Sequence, residues 1–214
     1  MRKIVIYGSG DHAKSVVAVA EALGFKIVGM LDDNPHRAGE EVLGYSVLGN
    51  GDLLTQLHNA GTHFGFVAIA DNRVRQHLSQ LMKNAGFIIP SLIDPSAIIR
   101  RTAVIADGSF ISPQTLVTMD ATVSEGCIVM SGSRLGHDCI LEPYVTLALG
   151  VQLAGAVTVG EGSFLGTGAI VLPRMRIGKW TTVGAGAVVI RDLPDHVTAV
   201  GNPAREISSK PQNS

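Results

Sequence analysis

From Ile93 onward, every sixth residue is aliphatic. The series runs Ile93, Ile99, Ile105, Ile111, Val117, Val123, Val129, Leu135, Leu141, Leu147, Leu153, Val159, Leu165, Val171, Ile177, Val183 and Val189 without one slip in phase. A sixfold period fits neither an amphipathic helix, which repeats at 3.6, nor an ordinary strand, which repeats at 2. It fits a hexapeptide coil in which each repeat supplies one short strand and a turn, and three repeats make one triangular turn of a parallel β-helix. Four residues after most of these aliphatics stands a small one, as at Ala97, Ser109, Ala121, Cys127, Ser133, Cys139, Ser163 and Ala187, where the chain can round a corner. The stretch 92–193 therefore predicts seventeen hexapeptides, stacked to about 27 Å at the spacing of neighbouring strands.

Composition agrees with such stacking. The chain has 25 Gly among 214 residues and only 5% aromatics, so small repeated layers, rather than a core of large rings, must exclude water. A net charge of -1 with 46% hydrophobic residues argues against disorder, and the glycines lack the threefold period of collagen. Near-neutrality also argues against nucleic-acid partners. No apolar run approaches the roughly 18 residues needed to span a bilayer. The Ile4–Tyr7 run is short for a signal peptide, and two Cys make no disulfide framework. The expectation is a cytoplasmic protein without nucleic-acid or membrane partners. Cys127 and Cys139 fall on corner positions and read as structural, which disfavours a thioester intermediate. No Cys, His or carboxylate grouping has zinc spacing. Between Arg134 and Arg174 there is no Lys or Arg, which suggests a face covered by another protomer.

Residues 1–90 follow a different rhythm. Lys3 to Tyr7 reads as a strand, Gly8-Ser9-Gly10-Asp11-His12-Ala13 as a turn, Ala13 to Leu23 as a helix, and Lys26 to Leu31 as a second strand ending at Asp32-Asp33. Phe64 to Ile69 and Asn72 to Ala85 add a strand and a helix, giving a small α/β, Rossmann-like domain. The turn matches G-x-G-x-x-A, with Asp32 at a spacing suited to a ribose. On these residues alone an NAD-type cofactor, another nucleotide and a tight turn with no ligand all stand. Fusion to a β-helix favours a nucleotide-linked substrate over a redox cofactor. Asp32-Asp33 precedes Asn34-Pro35 and also reads as a strand-ending turn.

The residues Ile6-Tyr7-Gly8-Ser9-Gly10-Asp11-His12-Ala13, Leu31-Asp32-Asp33, Ala68-Ile69-Ala70-Asp71-Asn72, Gly136-His137-Asp138-Cys139 and Gly201-Asn202-Pro203-Ala204, in that order, resemble the bacterial nucleotide-sugar acetyltransferases with hexapeptide repeats. Members acetylate UDP-bacillosamine precursors or GDP-perosamine, and relatives are described as sialic acid O-acetyltransferases. The resemblance implies a left-handed β-helix, a homotrimer, acetyl-CoA bound along the β-helix between protomers, and a nucleotide-linked amino sugar held by the N-terminal domain. It places the catalytic base on His137 and its acidic partner on Asp138. Substrate contacts fall on Gly10, Asp11, His12, Asp32, Asp33 and Ala70, and acetyl-CoA contacts on Thr146, Thr167 and Ala185. Thr146 stands where members usually carry His.

The expected organisation is thus 1–90 nucleotide-sugar binding, 91–194 β-helix acetyltransferase and 195–214 tail. The expected activity is N-acetylation of the 4-amino group of a nucleotide-linked dideoxyaminosugar, with no metal. Sugar O-acetylation and a non-catalytic scaffold are the alternatives. His137 is the one His within the repeats. A carboxylate beside an imidazole can fix its tautomer and raise its basicity.

Overall fold

The computed structural model describes residues 2–209. The chain divides into two units, at 1–95 and 96–214.

The first unit is a five-stranded sheet with helices. Its strands are β1 (Lys3–Tyr7), β2 (Lys26–Leu31), β3 (Glu41–Val42), β4 (Tyr45–Gly49) and β5 (Phe64–Val67), in the order β3-β4-β2-β1-β5. β1 pairs in parallel with β2 and β5, and β2 with β4; β3 runs antiparallel to β4. Ile4, Val5, Ile6, Met30 and Leu31 are fully buried, as expected of a parallel strand covered on both faces. Helix α1 (Asp11–Ala22) turns Ala13, Val16, Val17, Val19 and Ala20 inward. Helix α2 (Leu54–Asn59) is short, and α3 (Asn72–Asn84) starts from Asp71, whose carboxylate accepts from the backbone N–H groups of Arg73 and Val74. The hairpin Glu41–Gly49 and α2 carried no sequence signal.

The repeats fold as their phase predicts. Seventeen two-residue strands, from Leu92–Ile93 to Val188–Val189, each end on one member of the sixfold series. Successive coils pair in parallel at an offset of eighteen residues, as in Leu116↔Arg134↔Gln152, which gives three sheets, the pattern of a left-handed parallel β-helix. From Ile111 to Val189 the inward aliphatics are almost fully buried, whereas Ile99 and Ile105 in the first coil are only half-buried. The small corner residues also point inward, and their polar atoms reach the next coil. Ser109 Oγ donates to the Ser124 carbonyl, Ser133 Oγ to Ala148, Cys139 Sγ to Ala154 and Ser163 Oγ to Gly178, each fifteen residues on. Cys127 does the same to Glu142. Both thiols are buried donors in the coil, and burial pushes the Cys139 thiol pKa up.

Residues 195–209, expected as part of a tail, instead extend a sheet. Val197–Val200 pairs in parallel with Thr182–Val183 and antiparallel with Arg205–Ser209, because Val197 and Ala199 continue the inward-facing alternation. The remainder of that expected tail, 210–214, lies outside the described residues.

Candidate active site

His137 and Asp138 occupy one corner of the β-helix, between the strands Arg134–Leu135 and Ile140–Leu141. Asp138 takes a left-handed conformation, φ 59°, one that Asp and Asn tolerate better than most residues. This turn brings its carboxylate back onto the preceding ring, so that His137 Nδ1 lies 2.7 Å from Asp138 Oδ2. An ionised carboxylate only accepts, so the contact assigns the hydrogen to Nδ1, and in the neutral ring Nε2 then keeps the lone pair. The corner is anchored by the coils on either side: Asp138 N donates to the Met119 carbonyl, and Ala156 N to that of His137. Both site side chains remain well exposed, at 69% and 60%.

Gly155, one coil further on, completes this corner and was not singled out by sequence. A Cβ there would fall 2.3 Å from His137 Nε2 and 2.6 Å from Cε1. The ring therefore rests on bare backbone. The signal available in sequence was the eighteen-residue offset, which stacks 155 on 137 once three hexapeptides per coil is known.

Thr167 and Ala185 are exposed and share a different corner, one coil apart, linked by Gly186 N donating to the Thr167 carbonyl. Leu149, 49% exposed, lies in the same row, one coil before Thr167. The row forms a solvent-facing track on another edge from His137, so one protomer does not gather base and track at one place. Thr146 differs from both: it is buried, 5% exposed, between Ile128 and Phe164 on the outer face of its sheet, so its side chain is packed rather than presented.

In the first unit the glycine turn is built by two opposite requirements. Gly8 has φ 105°, and a Cβ would strike Ile69 Cδ1 at 2.6 Å and the Ala68 carbonyl at 2.9 Å. It is a packing glycine. Gly10, at the N-cap of α1, has nothing within 4 Å of its Cβ position and opens on a cavity of about 350 Å³ lined by Ser9, Gly10, Asp11, Lys14, Arg37, Glu41, Val42 and Leu43. Asp11 is fully exposed and paired with Lys14 at 3.0 Å, which lowers its pKa.

Asp32 and Asp33 are largely committed to the fold. Asp32 Oδ2 accepts from Ser9 N at 3.0 Å and Ser9 Oγ at 2.5 Å, while its Oδ1 accepts from Asn34 N. Burial raises the Asp32 pKa, but the bonds from Ser9 and Asn34 outweigh it and hold the carboxyl below its ordinary value. Asp33 Oδ1 accepts from Tyr7 Oη at 2.6 Å, and burial together with that bond pushes the Tyr7 pKa up. The spacing that suggested a ribose contact therefore also serves to tie the end of β2 to the glycine turn.

His12, on the first turn of α1, has its pKa pushed down to about 4 by burial and by the charge of Arg75. It is a neutral imidazole at pH 7. Arg75 is 1% exposed and was missed because its place on a polar-rich helix gave no hint of burial. Its Nη1 donates to the carbonyls of Ile69 and Ala70 and its Nη2 to Asn72 Oδ1, which shapes the loop carrying exposed Ala70. Among the described residues no group of three His, Cys, Asp or Glu is placed to hold a metal, and no helix is long and apolar enough to cross a membrane.

Comparison with known proteins agrees with both halves. Residues 3–82 match the PglD N-terminal domain family. The GDP-perosamine N-acetyltransferase of Escherichia coli O157:H7 is 30% identical over 179 residues, which span 81% of this chain and 80% of that protein. Perosamine N-acetyltransferase from Caulobacter crescentus, solved with CoA and GDP-perosamine in a variant that replaces a histidine by asparagine, superposes with a TM-score of 0.93 at 38% identity, covering 97% of each chain. The acetyltransferase domain of PglB from Neisseria gonorrhoeae, solved with acetyl coenzyme A, gives a TM-score of 0.89 at 33% identity, covering 96% of this chain and 99% of that one. With a hexapeptide β-helix following a PglD-type domain, and a relative at 30% identity along four fifths of its length, the chain belongs to the PglD family of sugar N-acetyltransferases.

Proposed function

We propose that the protein transfers the acetyl group of acetyl-CoA to the 4-amino group of a nucleotide-linked dideoxyaminosugar, with His137 as general base. The observation that carries this reading is the 2.7 Å contact between His137 Nδ1 and Asp138, which leaves Nε2 as an exposed proton acceptor. The neutral amine attacks the thioester carbonyl carbon, and its proton passes to Nε2. Collapse of the tetrahedral intermediate breaks the C–S bond, and the imidazolium returns the proton to the CoA thiolate. Asp138 stabilises the imidazolium and keeps the tautomer fixed. No covalent acyl-enzyme is required, in keeping with two thiols that are buried and hydrogen-bonded within the coil.

The nucleotide part is assigned to the first unit, around Gly10, Asp11, His12 and the loop at Ala70, with Asp32 and Asp33 holding that turn. CoA is assigned to the track of Thr167 and Ala185. The homotrimer implied by the family resemblance fits this arrangement, since base and track lie on different edges of one protomer and one protomer's base can then meet another's track. Exposed Ile140, Leu149, Phe164, Ile170 and Leu172, all inside the stretch without Lys or Arg, supply the apolar surface for that assembly.

The test is free-thiol release from acetyl-CoA against UDP-, GDP- and dTDP-4-amino-dideoxysugars and sialic acid. Release with a nucleotide-linked amino sugar, reduced about 10²–10⁴-fold in kcat by His137→Ala with unchanged oligomeric mass, supports the reading. Release with sialic acid alone, or wild-type turnover in the variant, would overturn it.

A further inference from the structure

Strand β1 ends at the glycine turn and begins at a second concavity. Arg2 and Lys3, at the start of the strand, line a cavity of about 490 Å³ together with Gly24, Gly61, His63 and Phe64. That volume lies within the range of small-ligand clefts, roughly 300–1,000 Å³. The five residues of β1 separate it from Gly8, which puts about 16 Å of extended chain between the two edges of the sheet.

The charge of this cavity is one-sided, for no Asp or Glu lines it. A cation at the end of a helix ordinarily caps the last carbonyls. Arg2 does so: its Nη2 donates to the Leu23 carbonyl at the end of α1, and its guanidinium lies 4.3 Å over the Phe25 ring. The side chain is held in place and its charge is not neutralised. Lys3 has no such employment. It is exposed, and among the described residues it has neither an ion pair nor a side-chain hydrogen bond. Its register partner on β2 is another cation, Lys26, and like charges directly opposite each other are unfavourable. Elsewhere Lys14 is paired with Asp11, Arg37 with Glu40, and Lys179 with Glu142 and Glu161.

His63 is held from behind. Its Nδ1 lies 3.3 Å from His58 Nε2, the two rings meet edge-on, and His58 meets Phe87 in the same way. With Nδ1 accepting from His58, the Nε2 of His63 carries the hydrogen and is a donor. Phe64 supplies an apolar wall. Gly24 and Gly61 have nothing within 4 Å of their Cβ positions, so they leave the mouth wide.

We propose that this cavity binds a small phosphorylated molecule, at a site separate from those assigned to the nucleotide sugar and to acetyl-CoA. A phosphate monoester carries a compact charge of about −2 at neutral pH, which matches two fixed cations and an imidazole donor; a single carboxylate carries half of that. The Arg2 fork and the Lys3 ammonium take phosphate oxygens, His63 Nε2 takes a further one, and the organic part lies against Phe64.

The experiment is calorimetric binding of glucose 1-phosphate, inorganic phosphate, glucose and acetate to the full-length protein and to Lys3→Met, His63→Gln and Lys14→Gln. Arg2 is spared because it also caps α1. Lys3 and His63 are exposed, so unchanged melting temperatures show that those variants fold. The wild type should bind glucose 1-phosphate and inorganic phosphate, and bind glucose and acetate about tenfold or more weakly. Lys3→Met and His63→Gln should each weaken glucose 1-phosphate about fivefold or more, while Lys14→Gln, beside the glycine turn, holds it within about twofold. No heat with either phosphate, acetate bound as well as phosphate, or a loss that follows Lys14→Gln rather than Lys3→Met and His63→Gln would overturn the inference. None of these outcomes bears on acetyl transfer, which is read from thiol release.

Discussion

The ring of His137 rests on Gly155, one coil away, so closely that a single methyl on Gly155 would come within 2.3 Å of Nε2. The contact is set by the architecture: eighteen residues make a coil, and the residue eighteen positions after the base is its floor. Gly155→Ala must therefore push the imidazole off that floor, away from the position in which Asp138 holds it. Gly155 does not adopt the left-handed backbone conformation that penalises alanine, so the coil should tolerate the change. We expect a fall in kcat of about 10–10³-fold, since small misplacements of a catalytic group have effects of this size. Melting temperature should stay near wild type and KM for acetyl-CoA should change little. Unaltered kcat would show that the ring's position on Gly155 does not matter.

The link between Ser9 and Asp32 makes a second expectation. Three hydrogen bonds converge on the Asp32 carboxylate, which keeps its pKa below the value it has in the unfolded chain. A depressed acid contributes stability above its unfolded pKa of about 3.9, and that contribution disappears as pH falls through the folded value. Asp32→Asn should cost about 1 kcal/mol at pH 7, the site being only half-buried and screened by solvent. That cost should shrink as pH falls below about 3.9. The variant should also weaken nucleotide binding, because the turn carrying Gly10 is no longer tied to β2. Denaturant unfolding of both proteins at pH 7 and pH 3 measures the first effect, and a cost that does not shrink in acid would contradict it.

How much of this was readable in advance depended on whether a period stood behind it. The repeat was legible strand by strand because each inward position is filled by an aliphatic and any slip would bury a polar residue. His137 with Asp138 was legible because the two are adjacent in sequence. The hairpin was not, since β3 has only two residues and Leu43-Gly44 is not a sequence that announces a left-handed turn. Gly155 looked like one more small residue among many. Arg75 looked like a surface residue on a polar-rich helix, and only tertiary packing shows its guanidinium beneath the loop at Ala70. Asp32 was legible as a position but not as a role, because the same spacing serves a ribose or a fold-internal bond.

His12 gives the third expectation, and it concerns acid. Burial and the Arg75 charge pull its folded pKa down to about 4, against 6.5 when unfolded. Between those values the unfolded chain binds a proton at His12 that the folded chain refuses, so protons favour unfolding. Stability should therefore be unaffected by His12 above about pH 7, fall progressively as pH drops toward 4, and lose no more from this source below that. The full loss is on the order of 3 kcal/mol. His12→Asn removes the titrating group, so its unfolding midpoint should be less sensitive to pH across this window than that of the wild type. The same shift keeps His12 neutral above its depressed pKa of about 4, so its own titration adds no limb to the activity profile near neutral pH. The acid limb of the kcat/KM profile should consequently survive in His12→Asn. If that limb disappeared with His12, it could not be assigned to the base on the β-helix.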